Sequence, residues 1–484
     1  MHFAVVVNLL SVVLIAFAFA MLVPLGISLH LDDGAERAYD IAILATAFAG
    51  VAGYLATRGR PKALQARDGF VFVTLVWTVL PGFGALPLLA HVPGLSFTDA
   101  YFESMSGLTA TGATLLSGLD QLPPSINFWR CALQWMGGLG VIVLAVAVLP
   151  LLGVGGRQLL KAEIPGPMKE AQLTPRIHET AKGLWLVYAA LTVACALAYR
   201  WGGMDWLDAV MHAFSTLGLG GFSSHDASFG YWNSPLLEAI AVAFMLVAGI
   251  SFVTHFAAVH RVSAMPYWRD AELRYYLLLI GASIAVVAGL LVMAGTHADW
   301  SGAFREAVFN VVSVATTTGY ATADYSAWPV FAPLWMLFIA AFATCSGSTG
   351  GGIKMMRAVL LVRQAMRELE RLVHPRAVIP VKLGGLVVEN RIIFAVLAYM
   401  LIYGVTLASI TLLLTATGLD LLTALSAAAA CVNNVGPGLG AVGPAQTYAL
   451  LSDFQTWILT LAMLLGRLEL LTVFVLLTPA FWRR

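Results

Sequence analysis

Four glycines, Gly112, Gly221, Gly319 and Gly436, end four segments built to one pattern. The segments read Thr109-Ala-Thr-Gly-Ala113, Gly218-Leu-Gly-Gly-Phe222, Thr316-Thr-Thr-Gly-Tyr320 and Asn433-Asn-Val-Gly-Pro437. Thirteen residues before each glycine stand Asp99, Asp208, Glu306 and Thr423, types that suit an N-cap or the first turn of a helix. The next residue is alanine in every copy: Ala100, Ala209, Ala307 and Ala424. Six residues before the glycine three copies carry serine (Ser106, Ser215, Ser313) and the fourth Ala430. Glycine permits backbone angles closed to other residues, so consecutive carbonyls can point the same way. Four such strings about one axis make a ring of carbonyl oxygens able to replace the hydration shell of a potassium ion. The residues that would supply that ring are Ala110, Thr111 and Gly112; Leu219, Gly220 and Gly221; Thr317, Thr318 and Gly319; and Asn434, Val435 and Gly436. No carboxylate stands among them, so coordination falls to the backbone. A single glycine-rich turn between membrane helices is commonplace; four in register are not.

The elements that must position these segments are membrane helices. Apolar residues make up 60% of the chain and charged ones 11%, far below the quarter usual in a soluble domain. Apolar runs such as 4–27 and 277–294 are long enough to span a bilayer. The first lacks a basic leader and reads as a retained helix rather than a signal peptide. About ten crossings are expected, near 3–29, 39–57, 68–91, 126–152, 182–202, 234–260, 272–296, 330–363, 391–417 and 455–479. Four apolar stretches, 98–111, 206–220, 303–318 and 421–435, are too short to cross. Each precedes one of the glycines and reads as a short helix entering a re-entrant loop, tolerated at membrane depth only beside a water-filled cavity or inside protein. The glycines lie 109, 98 and 117 residues apart (112 to 221, 221 to 319, 319 to 436), room for two crossings between loops. The expected fold is therefore all-α and membrane-integral. Four pseudo-repeats of helix, pore loop and helix, over 67–180, 181–268, 269–388 and 389–484, follow an N-terminal two-helix hairpin over 1–66. Basic residues gather at 58–67, 260–274 and 354–391, while Asp32, Asp33, Asp120, Asp205, Asp226, Asp299 and Asp324 fill the alternate connections. The basic side is cytoplasmic by the positive-inside rule, and both termini lie there.

Two further features concern control of a pathway. The run Cys345-Ser-Gly-Ser-Thr-Gly-Gly-Gly352 interrupts the expected crossing 330–363, and glycines cost about 1 kcal/mol each against alanine in a helix. Cys345, Ser346, Gly347, Ser348, Thr349, Gly350, Gly351 and Gly352 form either a kink that lets helices approach or a polar loop under the carbonyl ring. Arg467 stands within the apolar crossing 455–479, where an arginine is costly and functional by default. It either pairs with an acid such as Glu469 or raises a barrier to cations. Lys354, at the inner end of the broken segment, either lines the same place or snorkels to the cytoplasm.

The stretches Thr316-Thr-Thr-Gly-Tyr-Ala-Thr-Ala-Asp-Tyr-Ser-Ala-Trp-Pro329, Ser215-Thr-Leu-Gly-Leu-Gly-Gly-Phe-Ser-Ser-His-Asp226, Cys345-Ser-Gly-Ser-Thr-Gly-Gly-Gly-Ile-Lys354 and Asn433-Asn-Val-Gly-Pro-Gly-Leu-Gly440 resemble the signatures of the TrkH family. These are the potassium-translocating subunits of the bacterial Trk/Ktr/HKT potassium-uptake superfamily, and the resemblance covers nearly the whole chain. It implies potassium uptake across the inner membrane, a homodimer with one pore per subunit and a cytoplasmic TrkA-type ring that binds nucleotides. It implies that 345–352 is an intramembrane gating loop, with Arg467 lining the gate. Glycine at position 112, where serine accompanies sodium preference in the plant branch, implies potassium preference. Only the third loop resembles the Thr-Val-Gly-Tyr-Gly pattern of potassium channels, so sodium should be excluded only moderately.

Other residues read more plainly. Cys131, Cys195, Cys345 and Cys431 are small apolar residues of helices, and His212 packs a short helix. His225 and Asp226 make an outer-mouth turn, and no metal constellation emerges. There is no phosphate-binding loop, Gly153-Val-Gly-Gly156 lacks a strand–helix setting, and no catalytic set stands at one depth. The chain is thus expected to be neither an enzyme nor a pump, with no bound cofactor beyond the transported ion and no nucleic-acid partner. The basic stretches 354–391 and 157–182 suit a cytoplasmic regulator's contacts. The competing reading is a sodium- or proton-coupled potassium symporter.

Overall fold

The computed structural model describes residues 2–59, 66–143, 177–297 and 299–483. The far end of the expected crossing 126–152, Gly153-Val-Gly-Gly156, Arg484 and most of the basic stretch 157–182 lie outside the described residues. Among those described, six helices are long and apolar enough to span a bilayer: Phe3–Leu31, Glu36–Thr57, Arg67–His91, Ala181–Trp201, Ala271–Met293 and Asn390–Ala416. Two expected crossings are bent pairs instead. Pro235–Ala248 and Phe252–Arg261 meet at 90°, and Asp453–Arg467 and Leu470–Leu477 at 111°. The crossing expected at 330–363 divides into helices Phe331–Ala340 and Met355–Val373 around residues 341–354. Pro124–Val143 begins the crossing expected from 126. The only strands among the described residues, Lys382–Leu383 and Leu386–Val387, form a small antiparallel hairpin in the basic stretch after residue 354.

The four short segments fold as helices Phe97–Leu108, Trp206–Gly218, Trp300–Ala315 and Leu421–Val432. Each starts at a polar N-cap whose side chain takes up an orphan amide. Ser96 accepts from the amide of Asp99 at 3.1 Å, Asp205 from that of Asp208 at 2.7 Å, Asp299 from that of Gly302 at 3.3 Å and Asp420 from that of Thr423 at 3.0 Å. The caps thus sit three residues before Asp99, Asp208 and Thr423. The third helix starts a turn earlier, so Glu306 lies in its second turn and bonds Nε2 of His297 at 3.0 Å.

The repeats close into a ring. Each short helix packs on the helix following the loop of the repeat before it. Trp206–Gly218 lies on Pro124–Val143, Trp300–Ala315 on Pro235–Ala248, and Leu421–Val432 on Phe331–Ala340. The last repeat meets the first where Asp453–Arg467 packs on Phe97–Leu108. Two large apolar cores sustain the ring. Tyr188, Phe252, Phe309 and Met336 belong to the core of the second and third repeats. Phe102 and Leu459 join Phe17 and Trp77 in the core shared by the first and fourth repeats and the N-terminal hairpin. Leu44, Phe48, Leu278 and Leu401 project outward from the spans, apolar and exposed, as lipid-facing residues do.

Candidate ion pathway

The four loops repeat one backbone conformation. Two residues before each glycine the chain enters the left-handed region without a glycine to ease it: Ala110 (φ 49°), Leu219 (52°), Thr317 (61°) and Asn434 (54°). Such a residue costs about 1–2 kcal/mol, and strain of this kind gathers at functional sites. The following amide closes a Schellman turn onto the carbonyl six residues before the glycine. The distances are 2.8 Å from Thr111 to Ser106, 2.9 Å from Gly220 to Ser215, 2.8 Å from Thr318 to Ser313 and 2.8 Å from Val435 to Ala430. The bond uses the carbonyl at that position and not the hydroxyl, so Ala430 serves as well as the three serines. The glycines themselves have φ of 85°, 76°, 85° and 95°. Alternating φ in this way turns successive peptide dipoles to one side.

The loops also touch in cyclic order. A Cβ on Gly112 would lie 2.1 Å from the carbonyl oxygen of Gly220, and one on Gly221 2.1 Å from that of Thr318. One on Gly319 would lie 2.1 Å from that of Val435, and one on Gly436 2.6 Å from that of Thr111. Every glycine therefore faces the next loop's backbone, and the fourth loop returns to the first. A cavity of about 210 Å³ opens beside this ring, lined by Gly112, Gly221, Gly319 and Pro437, one from each loop.

Buried side chains fix the loops from behind. Glu103 and Arg130 pair at 2.7 Å with almost no exposure, and Glu103 also accepts from the amide of Leu115 at 3.0 Å. Arg130 donates to the carbonyl of Ser223 at 3.2 Å and covers the Phe222 ring at 4.4 Å, tying the first loop to the second. Gln134 brackets the second loop, donating to the Gly220 carbonyl at 2.6 Å and accepting from the Phe222 amide at 3.0 Å. Tyr448 donates to the Gly436 carbonyl at 2.7 Å, and Tyr320 to the His212 carbonyl at 3.1 Å. His212 is buried in packing contacts, its ring nitrogens meeting the Asp208 carbonyl and the Ser223 hydroxyl.

Residues 345–352 lie against the ends of the short helices. Thr349 donates its hydroxyl to the Leu217 carbonyl at 2.9 Å, and the Gly351 amide donates to the Thr317 hydroxyl at 2.9 Å. A Cβ on Gly351 would lie 2.1 Å from the Asn433 carbonyl. The bend at 249–251 is explained by the same loop: freed backbone groups there bond it, Cys345 N to Gly249 O and Gly347 O from Phe252 N, both at 3.0 Å. One oxygen of Glu272 holds both ends of the loop. It accepts from the Ser346 amide at 2.7 Å, the Ser346 hydroxyl at 3.1 Å and the Met356 amide at 2.9 Å. The ammonium of Lys354 turns back onto the loop, bonding the Gly350 carbonyl and the Ser348 hydroxyl, in place of snorkelling away.

Arg467 is buried at the break of its helix pair. It donates to the Thr349 carbonyl at 2.7 Å and to the Gly137 carbonyl at 3.1 Å. Glu469, the acid considered as its partner, pairs with Arg357 at 2.9 Å. The guanidinium of Arg357 in turn stacks 4.3 Å over the Tyr399 ring.

At the cavity beside the ring His225 bridges two acids, bonding Asp120 through Nδ1 and Asp208 through Nε2 at 3.2 Å. Partial burial alone lowers the imidazole's pKa, but the bonds to Asp208 and Asp120 outweigh it and hold the value above the ordinary one. Asp226 accepts from the amides of Gly118 and Leu119 at 3.0 and 3.1 Å. This pins the segment after the first repeat's loop to that after the second's.

Glu103, Arg130, Gln134, Glu272 and the tyrosines escaped the sequence reading. Glu103 and Arg130 did carry a signal, being charges inside apolar stretches. Glu272 sits beside a helix start, where capping accounts for it without remainder.

With this geometry in hand, the likenesses to known proteins are specific. A family model described as cation transport protein, TrkH, matches residues 37–484. The chain is 47% identical to the Trk system potassium uptake protein TrkH of Halomonas elongata and 45% to that of Escherichia coli, each over the full length of both chains. It superposes on the crystal structure of the potassium transporter TrkH from Vibrio parahaemolyticus with a TM-score of 0.92 and 43% identity, covering all of both chains. A polytopic chain with a ring of four loops, alike over its whole length to these transporters, belongs to the TrkH family of cation transport proteins.

Proposed function

We propose that this protein takes up potassium across the bacterial inner membrane through the ring of loops at Gly112, Gly221, Gly319 and Gly436. Backbone carbonyls there replace the ion's hydration shell. The observation that carries the reading is the cyclic contact of each glycine with the next loop's carbonyl, which demands four loops about one axis. The names of the full-length relatives, potassium uptake proteins of a Trk system, support the same ion.

Residues 345–352 act as the gate. The loop bonds the ends of the second and third short helices and abuts the fourth, so ions leaving the ring meet it. Arg467 and Glu272 are its latches, one at the middle of the loop and one at its two ends. A homodimer and a cytoplasmic TrkA-type nucleotide-binding ring complete the assembly, the ring acting on the basic side through 354–391. The symporter reading needs a titratable ligand where the ion dehydrates, and the ring segments supply backbone and neutral side chains.

The deciding experiment is rubidium flux into liposomes holding the purified chain with and without its nucleotide-binding partner. Conduction should follow the membrane potential and persist when sodium and proton gradients are removed at fixed voltage. Flux that vanishes without a sodium or proton gradient overturns the channel mechanism.

A further inference from the structure

A second cavity, of about 990 Å³, opens on the side of the basic loops. It is lined by Trp268, Arg269, Arg274 and Tyr275 at the start of the Ala271–Met293 span, by Arg363, and by the turn of the small hairpin at Gly384, Gly385 and Leu386. Three guanidiniums thus border one cavity, and no carboxylate lines it among the described residues. Arg274 donates to the Trp268 carbonyl at 2.7 Å, and Arg363 to the Tyr275 hydroxyl at 2.9 Å and to the Lys382 carbonyl. The partners of Arg274 and Arg363 are neutral, so these two side chains are held in place without an ion pair to offset their charge, and Arg269 is exposed beside them. Asp270, adjacent in sequence, is turned away, its carboxylate bonded to Thr254 and to the first amides of the span.

The cavity's other wall is apolar, with Leu278 and Leu386 exposed. Leu278, about two turns into the span, is 71% exposed, as is Trp268. Aromatic residues of this kind settle at the headgroup level of a membrane, with one end apolar and the other wet. Charge, aromatic rim and apolar wall follow one another along the span's first turns. A ligand suited to all three is anionic at one end and hydrocarbon at the other.

We propose that this cavity binds the phosphate headgroup of an anionic inner-leaflet phospholipid. Arg269, Arg274 and Arg363 receive the phosphate, and Leu278 and Leu386 receive the acyl chains. The site lies apart from the ring of loops, and the proposal does not depend on which ion the ring conducts. A juxtamembrane cation contributes about 1 kcal/mol toward an anionic lipid, so three together are worth on the order of 100-fold in affinity.

The test is native mass spectrometry of the full chain titrated with phosphatidylglycerol, phosphatidylcholine or inorganic phosphate. Phosphatidylglycerol should remain bound in preference to phosphatidylcholine, and inorganic phosphate should bind far more weakly for want of the apolar wall. The triple variant Arg269→Ala, Arg274→Ala, Arg363→Ala should lose about 100-fold of the phosphatidylglycerol affinity. Should it not fold, Arg269→Glu, a change at an exposed side chain, should lose more than 10-fold with an unaltered thermal melt. Equal retention of the two lipids, unchanged binding by the variants, or displacement by equimolar phosphate overturns the proposal. So does a variant that keeps the lipid but no longer binds a cytoplasmic protein partner, since the cations then serve protein docking.

Discussion

Replacing Arg467 by alanine tests the proposed gate most directly. In the closed arrangement its guanidinium donates to the Thr349 carbonyl at 2.7 Å and to the Gly137 carbonyl at 3.1 Å. Only the first of these bonds reaches the loop, so only that one is lost when the loop moves. A charge-assisted hydrogen bond is worth about 1.5–3 kcal/mol. Its removal shifts the open-to-closed ratio by about 10- to 150-fold, at roughly 1.4 kcal/mol per decade. A second effect separates experimentally. A fixed cation on the exit route raises the barrier to each passing ion, and its removal increases the unitary current irrespective of open time. Single-channel recording in planar bilayers resolves the two, open probability reporting the latch and current amplitude the barrier. Arg467→Lys keeps the charge and loses the fork, so it should restore the low current more than the low open probability. An Arg467→Ala protein that melts like the parent, yet shows unchanged open probability and unitary current, refutes both roles.

Gly221→Ala places a Cβ 2.1 Å from the Thr318 carbonyl at φ 76° and should abolish selective rubidium flux. Gly118→Ala, at φ 71° with nothing within 4 Å, should cost only about 1 kcal/mol of stability and leave flux intact. Glu103→Gln breaks a buried ion pair and should cost about 3–5 kcal/mol in thermal or denaturant unfolding. Glu272→Ala frees both ends of residues 345–352 and should raise basal flux, an effect a double-mutant cycle with Arg467→Ala will show to be coupled. His225, with its pKa raised in the folded protein, contributes stability that is fully present below about pH 6.5 and is lost as pH rises through the higher folded value. His225→Gln should flatten that part of the melting profile, and an identical profile in both proteins refutes the assignment.

The repeat was legible because its constraints are backbone constraints, and those leave residues behind. A carbonyl packed 2.1 to 2.6 Å from where a Cβ would stand admits only glycine, and this is why Gly112, Gly221, Gly319 and Gly436 mark the ring. The preceding left-handed residue left no such mark. Ala110, Leu219, Thr317 and Asn434 share a conformation and no chemistry, since the ring's own packing imposes the strain. The bend at 249–251 was illegible for a related reason. A span whose freed backbone groups are satisfied by a distant loop looks, in composition, like a straight one. The same holds for Glu272, whose partners Ser346 and Met356 lie 74 and 84 residues away. Arg467 was visible as an anomaly, but composition could not choose between Glu469 and a carbonyl as its partner.

Arg467 joins the two halves of the proposed mechanism. The short helices end at the ring, and their C-terminal carbonyls carry partial negative charge that favours a cation beneath it. The Leu217 carbonyl is occupied by the Thr349 hydroxyl, the Val432 carbonyl abuts Gly466, and the Leu108 carbonyl abuts Gly137. Arg467 follows Gly466 directly and bonds the Gly137 carbonyl, so its guanidinium is placed among these helix ends. The field that would hold a potassium ion in the open pore therefore holds the arginine in the closed one. A bound ion and the guanidinium compete for the same electrostatic well, and raising potassium in the cavity favours displacement of the loop. On this reasoning the parent's open probability rises with potassium on the cytoplasmic side, and that dependence disappears in Arg467→Ala. A variant that keeps the full potassium dependence separates the gate from the ion and removes Arg467 from the link between them.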